Sequence, residues 1–171
     1  MSKTILETKR LLLRYQTNND IEPLVSIWTS PEVTKFIGAP RKKDFLLKEF
    51  VKTAENPYAE KYDLWVVVEK VSEEVVGHCG FIDKLVEGNV EIDLTYIFTP
   101  SAWGKGYATE IAAALKEFAF GVMGEKRLIA LIHPGNEASA SVAMKIGMTK
   151  RKQLLRPNNE VRDMYVIENS Q

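Results

Sequence analysis

Val90-Glu91-Ile92-Asp93-Leu94-Thr95-Tyr96-Ile97-Phe98-Thr99-Pro100-Ser101-Ala102-Trp103-Gly104-Lys105-Gly106-Tyr107-Ala108-Thr109-Glu110 changes its apolar period midway, and that change decides the architecture. In its first half Val90, Ile92, Leu94, Tyr96 and Phe98 share one face of a strand. Glu91, Asp93, Thr95 and Thr99 share the other, with Ile97 the exception. Pro100 ends the strand. Beyond Gly104-Lys105-Gly106 the period becomes helical: Ile111, Leu115, Phe118 and Val122 form one stripe, predicting a helix from about 107 to 122 that Gly121 or Gly124 can end. A strand joined to a helix by such a loop is a workable anion cradle. Glycines let the backbone approach closely, the first helical amides lack internal partners, and Lys105 adds positive charge. Alone, the same loop also serves as a plain helix start.

Upstream, Leu11 to Tyr15 reads as a first strand, followed by a helix with Asp20 as N-cap, Pro23 in its first turn and Leu24, Ile27 and Trp28 on one face. Pro31 stops it. Leu46, Leu47, Phe50, Val51 and Ala54 predict a second helix over about 43–54. Leu64 to Val68 and Val75 to Phe81 read as strands about the turn Ser72-Glu73-Glu74. Downstream come a strand over Leu128 to Ile132, a helix from Asn136 to Ile146 closed by Gly147, and a last strand over Val161 to Ile167 after Pro157-Asn158-Asn159. The order predicts a mixed-sheet α/β fold, and without repeats or linkers the 171 residues predict one domain over 1–171.

Composition narrows the function classes. Lys plus Arg equals Asp plus Glu at 23 each, which argues against direct nucleic-acid binding. Cys79 is the only cysteine, so no intrachain disulfide is possible. The start, Met1-Ser2-Lys3-Thr4, has no long apolar run, and no stretch of the length a membrane helix needs occurs. These features predict a soluble, cytoplasmic protein without a membrane partner. A Walker loop is excluded because no Gly-Lys-Ser/Thr follows. A dinucleotide fingerprint is excluded by Thr109 and by His133 where an acid is required.

The run Pro100 to Glu110 resembles the acetyl-CoA loop of the GNAT N-acetyltransferase superfamily, most closely its ribosomal-protein alanine N-acetyltransferase branch. Three more stretches are similar to that branch in order and spacing. They are Glu7-Thr8-Lys9-Arg10-Leu11-Leu12-Leu13-Arg14, Asp93-Leu94-Thr95-Tyr96, and Asn136-Glu137-Ala138-Ser139 with Lys145-Ile146-Gly147-Met148. Against the branch pattern, Ser101 replaces Gln or Arg, Asp93 a Glu, Thr95 a Gly, and Ala143 a tyrosine acid.

The resemblance implies a single domain with flanking helices and a central sheet splayed between the strands ending at Thr99 and Ile132. It implies acetyl-CoA as co-substrate, no metal, and a monomer or homodimer. Gly104, Lys105, Gly106, Tyr107, Ala108 and Thr109 would hold the pyrophosphate, chiefly by amides. Phe98 and Thr99 would pair with the pantetheine arm, and Asn136 would hydrogen-bond it. The reaction implied is acetyl transfer to a primary amine, often a protein N-terminus in this branch. A small-molecule amine (polyamine, amino acid or antibiotic) and a non-catalytic CoA sensor are the alternatives.

Such a reaction needs a neutral amine, oxyanion stabilisation and a proton for the thiolate. Asp93 is the candidate base, with Glu91 on the same face and His133 at the strand mouth as rivals; a solvated strand face is the plain alternative. Ser139, one helical turn after Asn136, is the candidate proton donor or else a helix-start hydroxyl. His78 and Cys79 read as packed structural residues. Trp103 reads as a hinge-packing aromatic or a lining of the substrate mouth. The segment from Pro31 to Tyr62 is expected to roof the acceptor site.

Overall fold

The computed structural model describes residues 2–170; Met1 and Gln171, the two ends of the expected domain, lie outside the described residues. Eight strands form one sheet in the order β1-β2-β3-β4-β5-β6-β8-β7. They are β1 (Thr4–Glu7), β2 (Leu11–Arg14), β3 (Leu64–Glu69), β4 (Val75–Val86), β5 (Asn89–Phe98), β6 (Arg127–Ile132), β7 (Thr149–Leu155) and β8 (Val161–Glu168). Helices α1 (Ile21–Thr29), α2 (Pro31–Thr34) and α3 (Lys43–Glu55) lie between β2 and β3. Helix α4 (Tyr107–Gly121) joins β5 to β6, and α5 (Glu137–Lys145) joins β6 to β7. The mixed α/β expectation is correct.

Both sheet faces are covered. Ile111, Leu115 and Ala119 of α4 pack with Phe81, Leu94 and Phe98 in one core layer. Leu24, Ile27 and Trp28 of α1 and Leu46 and Phe50 of α3 pack with Val66, Val68 and Ile97 in the other. Double coverage explains why Ile97 breaks the alternation: its face of β5 is also interior. It also corrects the expected stripes at their ends. Val90, Val51 and Val122 are exposed, at the hairpin tip, on α3 and past the end of α4.

The local chemistry accounts for the ends of the elements. The Glu87-Gly88 turn between β4 and β5 has both residues at positive φ, 49° and 84°, matching a two-residue hairpin. Gly147, at φ 98°, closes α5, with the Met148 N–H returning to the Ala143 carbonyl at 3.0 Å. Asp20 occupies the N-cap position of α1 as expected, but makes no side-chain cap bond to that helix. Helix α1 is entered through a 3₁₀ turn, Asn18–Asp20, and Thr17 caps that turn in a reciprocal capping box with Asp20.

Asp20 also accepts both Arg14 guanidinium bonds, at 2.7 and 2.8 Å, and is nearly inaccessible. Burial raises its carboxyl, but the Arg14 and Thr17 bonds outweigh that and hold it below the ordinary range. Asp20→Asn is expected to cost about 1.5–3 kcal/mol at neutral pH. A native value below the unfolded one makes this stabilisation complete above the unfolded value, about 3.9, and lost as pH falls through the native value. Urea unfolding of both proteins at neutral pH and down toward about pH 2, well below the unfolded value, tests this by the narrowing of the difference between them.

The feature that positions the site is where the sheet opens. Strands β5 and β6 are its only parallel neighbours among the described residues, and they pair at one position, Asp93 opposite Ile129. Beyond it they part, as the expected splay requires.

Candidate active site

Between β5 and α4 the chain makes a 3₁₀ turn, Pro100–Ala102, and then the glycine loop, with Gly104 at φ 73° and Gly106 at φ 80°. The first helical bond of α4 runs from the Glu110 N–H to the Gly106 carbonyl at 3.1 Å. The amides of Tyr107, Ala108 and Thr109 precede it and open along the helix axis, with the positive end of the helix dipole behind them. This turn therefore brings together Gly104, Lys105, Gly106, Tyr107, Ala108 and Thr109. Two of its side chains turn to Glu69. Tyr107 is buried and donates its hydroxyl to Glu69, so only its backbone faces the loop. Lys105 leans toward Glu69, its Nζ 3.6 Å from Oε1.

The loop has an anchor that sequence reasoning missed. Arg10 donates Nη1–H to the Lys105 carbonyl at 2.7 Å and Nε–H to Glu110 Oε2 at 2.7 Å, and lies over the Tyr107 ring at 4.6 Å. Glu110 Oε1 also accepts from Thr8 Oγ1 at 2.6 Å and the Arg10 amide at 2.9 Å. Burial raises the Glu110 carboxyl, but these bonds outweigh it and hold the group low. Thr8 and Arg10 belong to the stretch that carried the resemblance, yet no spacing marks a partner 100 residues away.

From this loop a cleft of about 980 Å³ runs between the parted strands. Leu94, Tyr96 and Phe98 line one wall, and Leu131, His133, Asn136 and Ser139 the other. Of the two backbone positions expected to meet the cofactor arm, Thr99 gives its N–H to the Val76 carbonyl at 2.9 Å, on the β4 side. Strand alternation turns Phe98 toward the cleft, where its carbonyl accepts the Trp103 indole N–H at 2.9 Å. The Phe98 amide is what remains there. Trp103 is thus pinned to the strand end by this bond and lines the cleft beside the glycine loop, with its ring half exposed rather than packed.

Asp93 sits at the fork. Its Oδ1 accepts the Leu131 amide at 2.9 Å, replacing the strand partner that β6 loses as the sheet opens. Its Oδ2 pairs with Lys84 at 2.5 Å and accepts from Thr95 at 3.4 Å. The solvated strand face is thereby corrected: Asp93 is 3% exposed. Burial raises its carboxyl above the ordinary value, against the opposing pull of Lys84 and the Leu131 amide. Glu91 on the same face pairs with Arg127 at 3.0 Å and does not line the cleft.

On the facing wall Asn136 caps α5, its Oδ1 accepting the Ser139 N–H at 3.1 Å. That leaves its amide NH₂ for a ligand. The Ser139 backbone carbonyl takes the Tyr96 hydroxyl at 2.8 Å, so backbone atoms rather than the Ser139 hydroxyl serve the fold. Tyr96, read from sequence as one of an apolar stripe, therefore ties β5 to α5 across the cleft. His133 accepts the Gly135 N–H on Nδ1 at 2.9 Å, which puts the proton of the neutral ring on Nε2. It offers the cleft a donor.

His78 and Cys79 are buried as expected. Trp28 donates to His78 Nδ1 at 3.0 Å, and burial pushes the imidazole down to about 4. Burial raises the Cys79 thiol, whose Sγ faces the Ile97 carbonyl at 3.8 Å.

The roof is corrected in part. Trp28, Phe36 and Arg41 from α1 and the loop after α2 close the outer end, with Arg156 from the β7–β8 turn and Arg162 from the start of β8 opposite. Helix α3 packs on the sheet instead, and the contribution of the turn was not anticipated.

The family model described as "Acetyltransferase (GNAT) domain" matches residues 10–149. The chain is 32% identical over 163 residues to the uncharacterized protein YkkB of Bacillus subtilis, covering 94% of each. It is also 32% identical over 165 residues to the uncharacterized N-acetyltransferase YnaD of Bacillus subtilis, covering 94% of this chain and 93% of that protein. The crystal structure of the acetyltransferase from Agrobacterium tumefaciens superposes with a TM-score of 0.81 at 25% identity, covering 99% of this chain and 96% of that one. Among the described residues no helix is long and apolar enough to cross a membrane.

Proposed function

The chain belongs to the GNAT acetyltransferase family and is an acyl-CoA-dependent acetyltransferase, and on that premise we propose that it acetylates the α-amine of a protein N-terminus, in the cytoplasm, as in the ribosomal-protein branch it resembles. One observation carries the reading: the only parallel strand pair among the described residues meets at Asp93 alone and then opens a cleft that reaches Trp103 and Ala108 at the start of α4. The amides of the loop suit a pyrophosphate, the Phe98 N–H and the Asn136 NH₂ suit the amides of the arm, and no cation is needed among them.

Acetyl-CoA supplies an activated thioester. The chain's own residues then supply three things. The cleft excludes water and fixes the amine beside the strand fork. Asp93 takes the amine proton, directly or through a water, its burial raising the carboxyl toward the range of a useful base. The Ser139 hydroxyl, facing the cleft, returns a proton to the leaving thiolate. Thiol release from acetyl-CoA over a panel of peptides and small amines, with mass mapping of the products, tests the assignment. Release no faster with any amine than without would leave a CoA-binding module.

Attack is direct, without an acyl-enzyme. Cys79, the one thiol, is fully buried and its raised pKa keeps it protonated, so it is no nucleophile. Cys79→Ala is expected to retain most activity, and intact protein mixed with acetyl-CoA alone should gain no acetyl mass. An adduct, or parallel-line kinetics, would overturn direct attack.

A further inference from the structure

The outer end of the cleft holds charges that the reaction does not use. The lining of the cleft as a whole carries five cations, Lys35, Arg41, Lys84, Arg156 and Arg162, against the carboxylates of Glu32, Asp93 and Glu160. Lys84 is paired with Asp93 at 2.5 Å and Arg162 with Glu160 at 2.7 Å. Lys35, Arg41 and Arg156 have no carboxylate in ion-pair range among the described residues, and only Glu32 offsets them.

These cations are held in place without being neutralised. Arg41 lies over the Trp28 ring at 5.2 Å, and Lys35 over the Phe36 ring at 5.1 Å. Arg156 donates to the Leu85 carbonyl at 3.1 Å. Arg41 and Asn158 also line a side pocket of about 300 Å³ that shares Trp28 and Glu160 with the cleft. Two segments far apart in sequence, the loop after α2 and the β7–β8 turn, thus place guanidinium groups at one mouth. A guanidinium on a ring face keeps its edge free for a carboxylate.

Resting on the α-amine reading above, we propose that the acceptor is an amine whose own skeleton carries a carboxylate near the amine, with Arg41 and Arg156 as the residues that select it. The same excess charge disfavours a nearby ammonium, which helps present the amine neutral. It repels a polycation such as a polyamine. The shared chemistry, a carboxylate beside an α-amine, occurs in a peptide N-terminus with acidic residues and in a free acidic amino acid.

The test uses the full-length protein, acetyl-CoA and five acceptors. Three are tetrapeptide amides with one common first residue, followed by acidic, neutral or basic residues; the others are glutamate and spermidine. The acidic peptide should exceed its neutral counterpart about tenfold in kcat/KM and the basic one by more, with the gap narrowing as salt rises. Glutamate outpacing the acidic peptide would also support the carboxylate preference and assign it to a small molecule. Arg41→Glu with Arg156→Glu should invert the peptide order. Exposed Lys35→Glu, which disturbs no core contact, should narrow it if the pair fails to fold by thermal melting. Equal rates for the three peptides, or spermidine as the best acceptor, would overturn the charge preference while acetyl transfer stands. Background thiol release with all five would overturn the transfer reading, and the preference with it.

Discussion

Gly106→Val should raise the dissociation constant for acetyl-CoA by at least about a hundredfold, equivalent to roughly 2.7 kcal/mol. Gly106 has φ 80° and ψ 9°, a left-handed conformation that β-branched residues essentially avoid. A Cβ built there already lies 3.4 Å from Arg10 Nη2, so the valine methyls extend toward the guanidinium that holds the Lys105 carbonyl. The substitution therefore strains the turn, displaces its anchor and moves the amides of α4 off target. Lys105→Ala should weaken binding only up to about fivefold, because an exposed cation contributes about 0–1 kcal/mol. That side chain is 49% exposed and drawn toward Glu69. Calorimetry on both variants separates a backbone cradle from a charge site. Normal affinity in the valine variant, or a larger loss from Lys105→Ala, would remove the amides from the pyrophosphate site.

That loop was legible because its chemistry is local: glycine, the strand end and the helix start are neighbours in sequence. The elements that were missed are those whose stability is not written in side chains. Strand β7, Thr149-Lys150-Arg151-Lys152-Gln153-Leu154-Leu155, buries only Leu154 and is held by its backbone pairing to β8. It lies at the sheet edge, where charge is expected and alternation is weak. Strand β1 is the opposite edge and equally short of buried residues. Within the site, Asp93 was visible as a candidate, but its burial depends on Lys84 and Leu131, which come from two other strands. The hydrogen bond that occupies His133 Nδ1 comes from Gly135, two residues on, and only geometry reveals it. The basic mouth joins Arg41 to Arg156, a pairing that folding alone creates.

Asp93→Asn should lower kcat about a hundredfold at neutral pH, within the roughly 10²–10⁴ that a general base contributes. Asparagine keeps a carbonyl for the Leu131 amide, so the fork of the sheet survives while the proton acceptor and the Lys84 partner are lost. The pH dependence separates chemistry from architecture. Burial raises the Asp93 carboxyl, so wild-type activity should fall with decreasing pH through a value above the ordinary 3.9 or so, and the variant should lack that limb. Its residual activity should instead climb with pH as the amine loses its own proton. For an α-amine the climb levels off near 7.7–8.0; for an alkyl amine it continues toward about 10.4. Steady-state rates on the best acceptor, from about pH 4, near the ordinary carboxyl value, to about pH 9.5, past the α-amine range but short of the alkyl-amine one, therefore report the base and the kind of amine together. An asparagine variant with full kcat and only a lower melting temperature would make Asp93 the pin of the two strands and nothing more. The amine would then have to lose its proton to solvent, and the excess cations at the cleft mouth, by disfavouring the ammonium form, would remain as the protein's means of promoting that loss.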